Sequence, residues 1–362
     1  MTLLDDVADR PLVPLPRQPD GVPWPTETWP TGDDPTDGRL APLLDSVMDP
    51  DSGHGRTRAV VVVQGGRLVA ERYGDRTDAW GEVTGDPVDA STPLLSWSMA
   101  KSMLHAVVGM LVDEGRLHPD QPAPVPQWLP GDPRAAITLE HLLAMRDGLD
   151  FAEDYAPDDE AGAVSHVIEM LFGSGASDVA GFAASRPLAH EPGTVFNYSS
   201  GTSNIISGIV ARTLRGEAPY RRFLHERLFG PIGMRSADPR FDEAGTWVAS
   251  SYVWATAHDM ARFGYLYLRD GTWDGTRLLP EGWVDHGRRP RSIDPADGRL
   301  YGAQWWVVGD DHGTFWANGY EGQSIMVCPG LDLVVVRLGK STAECYPALI
   351  AWRAAVVDAF RA

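Results

Sequence analysis

Strand-like and helix-like hydrophobic patterns occupy different parts of the chain. A β-branched run at 59–64 and a second apolar run at 68–73 are separated by Gly65 and Gly66. Two such runs around a Gly-Gly turn predict a β-hairpin. After residue 301 apolar and polar positions again alternate, which is typical of strands with one covered face. The strands predicted there lie at 303–308, 314–317, 323–328 and 332–338.

The segment between these two parts is predicted to be almost entirely helical. From Met99 to Val112 apolar residues recur at helical spacing, and Gly115 follows where a glycine commonly ends a helix. The same spacing predicts helices at 40–48, 138–143, 164–172, 177–185, 205–214, 220–228, 257–268 and 348–360. The hairpin and the later strands would then form one antiparallel sheet with an N-terminal and a C-terminal helix beside it. We therefore predict an α+β fold with a large helical insert.

The same patterns predict three parts in the chain. Residues 1–40 are rich in Pro, Asp, Gly and Trp and have no hydrophobic period, and the tryptophans would be poorly used in a free tail. We expect these residues to form an extended arm that lies over the body. The sheet domain would comprise 41–93 together with 289–362, and the mostly helical domain would comprise 94–288.

Composition narrows the class of partner. The 362 residues include 31 basic and 50 acidic side chains, which give a net charge of −19. Nucleic acid and anionic membranes repel such a chain, so we expect neither of them as a partner. The sequence shows neither a secretory signal nor an apolar run of membrane-spanning length. Cys328 and Cys345 are too few for a disulfide framework or a metal site, so we predict a cytoplasmic protein and leave its oligomeric state open.

One serine and one lysine stand out where the helical part begins. Ser98 and Lys101 lie three residues apart at the N-terminal end of an apolar helix, and would share one face of it. A lysine that its surroundings hold neutral can take the proton of a serine hydroxyl. The helix N-terminus would also favour developing negative charge. An isolated S-x-x-K match is more often an ordinary exposed pair, so this one needs support from elsewhere in the chain.

A second cluster of hydroxyl groups comes later. Tyr198 is followed by Ser199, Ser200 and a glycine, just before a predicted helix. One interpretation is that a serine simply caps the helix N-terminus. The functional alternative makes Tyr198 a proton carrier over Ser98, with a phenolate that the nearby lysine stabilises.

A glycine-flanked turn opens the apolar strand at 323–328. Gly319, Tyr320 and Gly322 precede Gln323 there. Glycines allow a backbone to approach a substrate closely, and the Gln323 amide would then point at a developing oxyanion. The alternative is a pair of loop glycines that leads into an edge strand.

In this order the three elements resemble the serine β-lactamases, the DD-peptidases and their relatives. The matches are S-M-A-K at Ser98, Y-S-S at Tyr198 and Y-E-G at Tyr320. The flanking stretches S-W-S-M-A-K-S, G-L-D-F-A-E-D-Y and E-P-G-T-V-F-N-Y-S-S are most similar to the branch that contains 6-aminohexanoate-dimer hydrolase and related esterases. The resemblance runs from residue 57 to residue 360 and implies a β-lactamase-like fold.

The resemblance implies a two-step acyl transfer that needs neither metal nor cofactor. Ser98 would attack the carbonyl of a small amide or ester, and Lys101 and Tyr198 would act as general base and acid. The backbone amides of Ser98 and Gln323 would hold the oxyanion, and water would release the acyl group. Tyr320 and Gln323 would also contact the substrate.

Tyr155, in the E-D-Y stretch, matches a tyrosine that contacts the scissile amide in the nylon-oligomer hydrolases. Loops vary, so a simple packing role is the alternative for this residue.

Two departures from the family pattern bear on the substrate. Tyr320 stands where β-lactamases and DD-peptidases carry a Lys or His that meets a carboxylate, and the neighbouring Glu321 would repel one. Ser200 replaces the usual Asn of the second motif, which disfavours peptide-like substrates. With no cationic clamp visible, we expect a substrate that is largely apolar near the reacting carbonyl. The remaining alternatives are carboxylesterase, acyltransferase, β-lactamase or DD-peptidase-like activity, or a catalytically silent ligand-binding relative.

Overall fold

The computed structural model describes residues 10–78, 82–153 and 165–361. The α-helices of this part are α1 (Leu40–Met48), α2 (Ala100–Asp113), α3 (Leu139–Leu143), α4 (His166–Phe172), α5 (Val179–Ala184), α6 (Ser200–Leu214), α7 (Glu217–Phe223), α8 (Ala257–Leu268), α9 (Trp283–Arg288) and α10 (Tyr346–Ala359). The strands are β1 (Arg56–Gln64), β2 (Arg67–Tyr73), β3 (Asp75–Thr77), β4 (Val83–Pro87), β5 (Leu94–Leu95), β6 (Asp238–Pro239), β7 (Val253–Ala255), β8 (Thr272–Trp273), β9 (Thr276–Arg277), β10 (Ser292–Ile293), β11 (Leu300–Tyr301), β12 (Trp306–Val307), β13 (Phe315–Gly319), β14 (Gln323–Cys328) and β15 (Leu333–Lys340).

An eight-stranded antiparallel sheet, in the order β10-β11-β12-β13-β14-β15-β1-β2, forms the framework of the molecule. The hairpin of β1 and β2 closes at Gly65 and Gly66, both with positive φ, as the Gly-Gly turn predicts. β1 then pairs with β15, so that the first and last strands of the chain lie side by side, one strand away from the edge strand β2. The predicted sheet of early and late strands is therefore confirmed.

Both faces of this sheet are covered by helices. Val60 and Val62 of β1 pack in one apolar cluster with α1 and α10, while Val61 and Val63 pack in the other with α2 and α8. Neighbouring side chains of a strand point to opposite faces, so a run of valines can serve both layers. The predicted flanking helices are thus confirmed, and α2 lies on the face that carries the helical insert.

The described part of the N-terminal segment, residues 10–40, packs on the body. Its backbone bonds to the outer strand β2: Leu68 N–H donates to Pro30 O at 2.8 Å, and Gly32 N–H donates to Leu68 O at 3.0 Å. Trp29 is buried, and Arg262 of α8 donates to Pro25 O at 2.7 Å. The arm therefore covers the free edge of the sheet, which would otherwise be open to pairing with another strand.

The middle of the chain differs in detail from the prediction of an almost purely helical insert. It contains a small sheet in the order β5-β7-β6, and strands of two or three residues carry no period that a sequence could reveal. The strand predicted at 303–308 is reduced to β12. The division into domains at 41, 94 and 289 stays a prediction. Within the described ranges, no helix has both the length and the apolar character needed to cross a membrane.

Candidate active site

Ser98 lies in a single turn of 3₁₀ helix, Trp97–Met99, that leads directly into α2. The residue before it, Trp97, has a φ of 46°, which a bulky side chain adopts only when its surroundings enforce it. The Trp97 indole donates to Glu321 at 3.2 Å, and its ring meets the Tyr320 ring edge-on at 5.5 Å. The sharp turn that presents Ser98 is thus held by the segment of the third motif.

Lys101 lies beneath Ser98, and only 1% of its surface is exposed. Its Nζ lies 2.8 Å from Ser98 Oγ, 3.1 Å from Ser200 Oγ and 2.9 Å from the carbonyl oxygen of Ser250. Burial lowers the pKa of Lys101 to about 8, against an opposing effect of the Glu153 charge. A substantial neutral fraction near physiological pH is what a general base for Ser98 requires.

The Tyr198 side chain lies over the same pair. Its ring centroid is 5.0 Å from Lys101 Nζ. Burial and the Glu153 charge raise the pKa of Tyr198, while the neighbouring Ser98 side chain and the charge of Arg299 oppose this rise. A neutral phenol is therefore favoured at rest, in contrast to the expected phenolate, and suits a group that donates a proton.

The capping interpretation of the second motif is confirmed for one residue of it. Ser199 is the N-cap of α6, and its Oγ accepts from Thr202 N–H at 3.0 Å. The cap leaves Tyr198 just outside the helix and Ser200 in its first turn, where its hydroxyl reaches Lys101. Capping and contact with the Ser98 pair thus belong to different residues of one motif.

A cavity of about 260 Å³ opens above Ser98. Four of the ten residues in its walls are aromatic, and five carry polar or charged side chains. The residues that line it are Ser98, Glu153, Tyr198, Asp294, Arg299, Trp306, Asn318, Gly319, Tyr320 and Tyr346.

Gln323 does not line this cavity. It opens β14, buried in the sheet, and its side-chain amide forms two hydrogen bonds with the Gly339 backbone of β15, at 2.5 and 2.7 Å. Its side chain is therefore committed to the sheet and not to the substrate contact that the sequence suggested. The role of its backbone amide in an oxyanion hole stays a prediction.

The cavity is not free of cations, which corrects the expectation from sequence. Arg299 lines it, with its guanidinium 4.1 Å from the Trp306 ring and ion pairs to Asp294 and Asp297. This arginine comes from the loop between β10 and β11, which no motif connects with Ser98. The charge of Glu321 is also compensated, because Lys340 forms an ion pair with it.

Two contributors escaped the sequence analysis. Glu153 lies in the G-L-D-F-A-E-D-Y stretch, where no pattern assigns it a role, yet it contacts Ser200 and borders the cavity. Ser250 contributes its backbone carbonyl, which any residue type could do. Its position is fixed by Asn204 of α6, whose side-chain oxygen accepts from Ser250 N–H at 3.1 Å and whose side-chain nitrogen donates to Ser250 Oγ at 3.2 Å.

The predicted contact at Tyr155 falls outside the described residues. Among the described residues, no three or more His, Cys, Asp or Glu side chains lie together in a way that could hold a metal ion.

Comparisons with known proteins extend over most of the chain. A family model described as Beta-lactamase matches residues 43–357. A 6-aminohexanoate-dimer hydrolase of Paenarthrobacter ureafaciens is 29% identical over 301 residues, which cover 78% of this chain and 72% of the relative. The solved structure named "Putative 6-aminohexanoate-dimer hydrolase from Bacillus anthracis" is 22% identical, with a TM-score of 0.71 over 96% of this chain and 91% of that one. A family VIII carboxylesterase is 15% identical, with a TM-score of 0.66 over 90% of this chain and 98% of that one.

Proposed function

Because the chain belongs to the beta-lactamase family, we propose that it is a serine hydrolase that cleaves a small amide or ester through an acyl-enzyme at Ser98. One observation carries the proposal: the buried Lys101 amine lies 2.8 Å from the Ser98 hydroxyl at the floor of the cavity. A buried amine of lowered pKa next to a serine is an arrangement that can activate the serine as a nucleophile.

In the proposed reaction, neutral Lys101 takes the Ser98 proton as Oγ bonds to the substrate carbonyl carbon. Tyr198 donates its proton to the leaving nitrogen or oxygen as the carbonyl–heteroatom bond breaks, and regains a proton from Lys101. Water then attacks the acyl-enzyme, with the same groups removing its proton and returning one to Ser98. The Ser98 amide is one oxyanion donor, and we propose the Tyr320 amide as the second, because Tyr320 borders the cavity and Gln323 does not.

The cavity supports a small substrate with an apolar part against Trp306, Tyr198 and Tyr346 and a polar group near Arg299. The similar 6-aminohexanoate-dimer hydrolase and family VIII carboxylesterase suggest, by their names, an amide and an ester respectively. We therefore propose both classes as substrates. The ion pair of Glu321 with Lys340 weakens the repulsion that was expected for carboxylate-bearing substrates, so β-lactams belong in the test.

A fluorophosphonate probe followed by mass mapping tests the nucleophile. Labelling at Ser98 is expected, and a folded protein that remains unlabelled would refute the proposed function. A panel of p-nitrophenyl esters, linear amides and nitrocefin, each compared with the Ser98→Ala variant, then ranks the substrate classes.

A further inference from the structure

Glu153 binds Ser200 through both of its carboxylate oxygens. The Ser200 N–H donates to Oε2 at 2.7 Å, and the Ser200 hydroxyl donates to Oε1 at 2.5 Å. The same hydroxyl oxygen accepts from Lys101 Nζ at 3.1 Å. We propose that Glu153 is a positioning residue that acts on Lys101 through Ser200, and so fixes which way the Lys101 lone pair points. This inference rests on the proposed function, in which Lys101 is the base for Ser98.

The donors and acceptors around Lys101 determine the direction of its lone pair. A neutral lysine amine has two N–H groups and one lone pair, and the lone pair must face Ser98 to take its proton. The Ser250 carbonyl can only accept, so it occupies one N–H. A serine hydroxyl can either donate or accept, and Ser200 would compete with Ser98 if it donated to Lys101. Because Glu153 takes the single Ser200 proton, Ser200 accepts the second N–H, and the lone pair is left for Ser98.

The backbone directly before Glu153 is anchored by two hydrogen bonds. Ala152 N–H donates to His166 Nδ1 at 2.9 Å. Phe151 O accepts from the Asn197 side chain at 3.0 Å, directly before the Tyr198 motif. Glu153 is therefore tied both to α4 and to the segment that carries Ser200.

The charge of Glu153 adds a second, measurable effect. It is the charged group that opposes burial at Lys101, and it also raises the pKa of Tyr198 and of Tyr301 in β11. Other charged or titratable groups lie near the pair but act on different neighbours: Arg299 on Tyr198, Asp294 on Arg299, Asp147 on Thr202 of α6, and His166 on Ala152. Removal of the Glu153 charge should therefore lower the pKa of Lys101.

The test is the pH dependence of Ser98 labelling by a fluorophosphonate, which needs no known substrate. In Glu153→Gln the amide can donate to Ser200 and release the Ser200 proton towards Lys101. We expect the acid limb of the labelling profile, where the rate rises with pH, to move to lower pH by about one unit, the usual size for loss of a nearby opposite charge. We also expect the plateau rate to fall by roughly tenfold or more, as for a misdirected general base. A purely structural role would lower the rate without moving the limb.

Two further variants separate orientation from charge. Ser200→Ala removes the intermediary and keeps the carboxylate, so its plateau should fall while its acid limb stays near that of the wild type. When Glu153→Gln is added to Ser200→Ala, it should lower the plateau rate much less than it does in the wild-type background, because the two residues act as one unit. Glu169→Gln is the matched control: its carboxylate also accepts a backbone N–H, from Ser174 at 2.8 Å, but contacts neither Ser200 nor Lys101.

The outcomes distinguish this inference from the proposed function. If wild-type Ser98 is not labelled, the proposed function is lost and this inference with it. If the wild type is labelled, but Glu153→Gln keeps both its acid limb and its plateau, Glu153 has no positioning role. Should Glu153→Gln fail to fold, Ser200→Ala decides alone, and a plateau equal to that of the wild type overturns the inference.

Discussion

Lys101 Nζ lies 2.8 Å from Ser98 Oγ, and both residues are buried: 1% of the surface of Lys101 and 8% of that of Ser98 are exposed. In water, a lysine would hold its proton far above neutral pH. Here burial lowers the pKa of Lys101 to about 8, the Glu153 charge notwithstanding. The short contact therefore joins a hydroxyl to an amine that can release and regain a proton near neutral pH.

The first prediction concerns the pH dependence of kcat/KM for a p-nitrophenyl ester. Only neutral Lys101 can accept the Ser98 proton, so the rate should rise with pH and level off above the pKa of about 8. Below that pKa the rate should fall about tenfold per pH unit. Stopped assays in overlapping buffers, corrected for spontaneous ester hydrolysis, would measure this. A rate that stays constant from acid to alkaline pH would show that Lys101 is not the base.

The second prediction is that Ser98→Ala abolishes ester turnover and leaves the melting temperature nearly unchanged. Lys101 retains its other two oxygen partners, on Ser200 and Ser250, so loss of the Ser98 hydroxyl leaves no buried amine without a contact. Turnover and thermal melts on the same preparation provide the check. Turnover at the level of the wild type would mean that the nucleophile has been misassigned.

The third prediction is that Tyr198→Phe lowers the acylation rate by roughly a hundredfold or more, the usual loss for a general acid or base. The ring contacts with Trp306 and Tyr301 remain, at 5.3 and 6.0 Å between centroids, so the fold should tolerate the change. Single-turnover burst kinetics isolate acylation. If the burst rate hardly changes, the motif serves only to begin α6.

Elements with a regular, local signal were those that the sequence could predict. The helix at 257–268 was expected with the bounds that α8 has, because its apolar face repeats over several turns. β10 and β11 are two residues long each and exist only through pairing in the completed sheet. Such strands carry too few positions for a period, so nothing local indicates them.

The same distinction applies to the candidate site. Ser98, Lys101 and Tyr198 stand in short motifs, and the structure brings them together around one cavity. Ser250 acts through a backbone carbonyl, and Arg299 reaches the cavity from a distant hairpin. Neither contact depends on a pattern along the chain, because tertiary folding alone places these groups.

The fourth prediction concerns Gly319, which ends β13 against the turn that presents Ser98. A Cβ at this position would lie 2.5 Å from the Ser96 carbonyl oxygen and 2.9 Å from Gln323 Cβ. Gly319→Ala should therefore push the strand end away, lower the free energy of unfolding by about 1–3 kcal/mol and reduce kcat/KM. Gly32→Ala is the control, because the three nearest atoms to its Cβ would belong to the Arg67 side chain and none would lie closer than 3.1 Å. Urea unfolding and ester turnover compare the two, and equal effects would contradict close packing of β13 on the Ser98 turn.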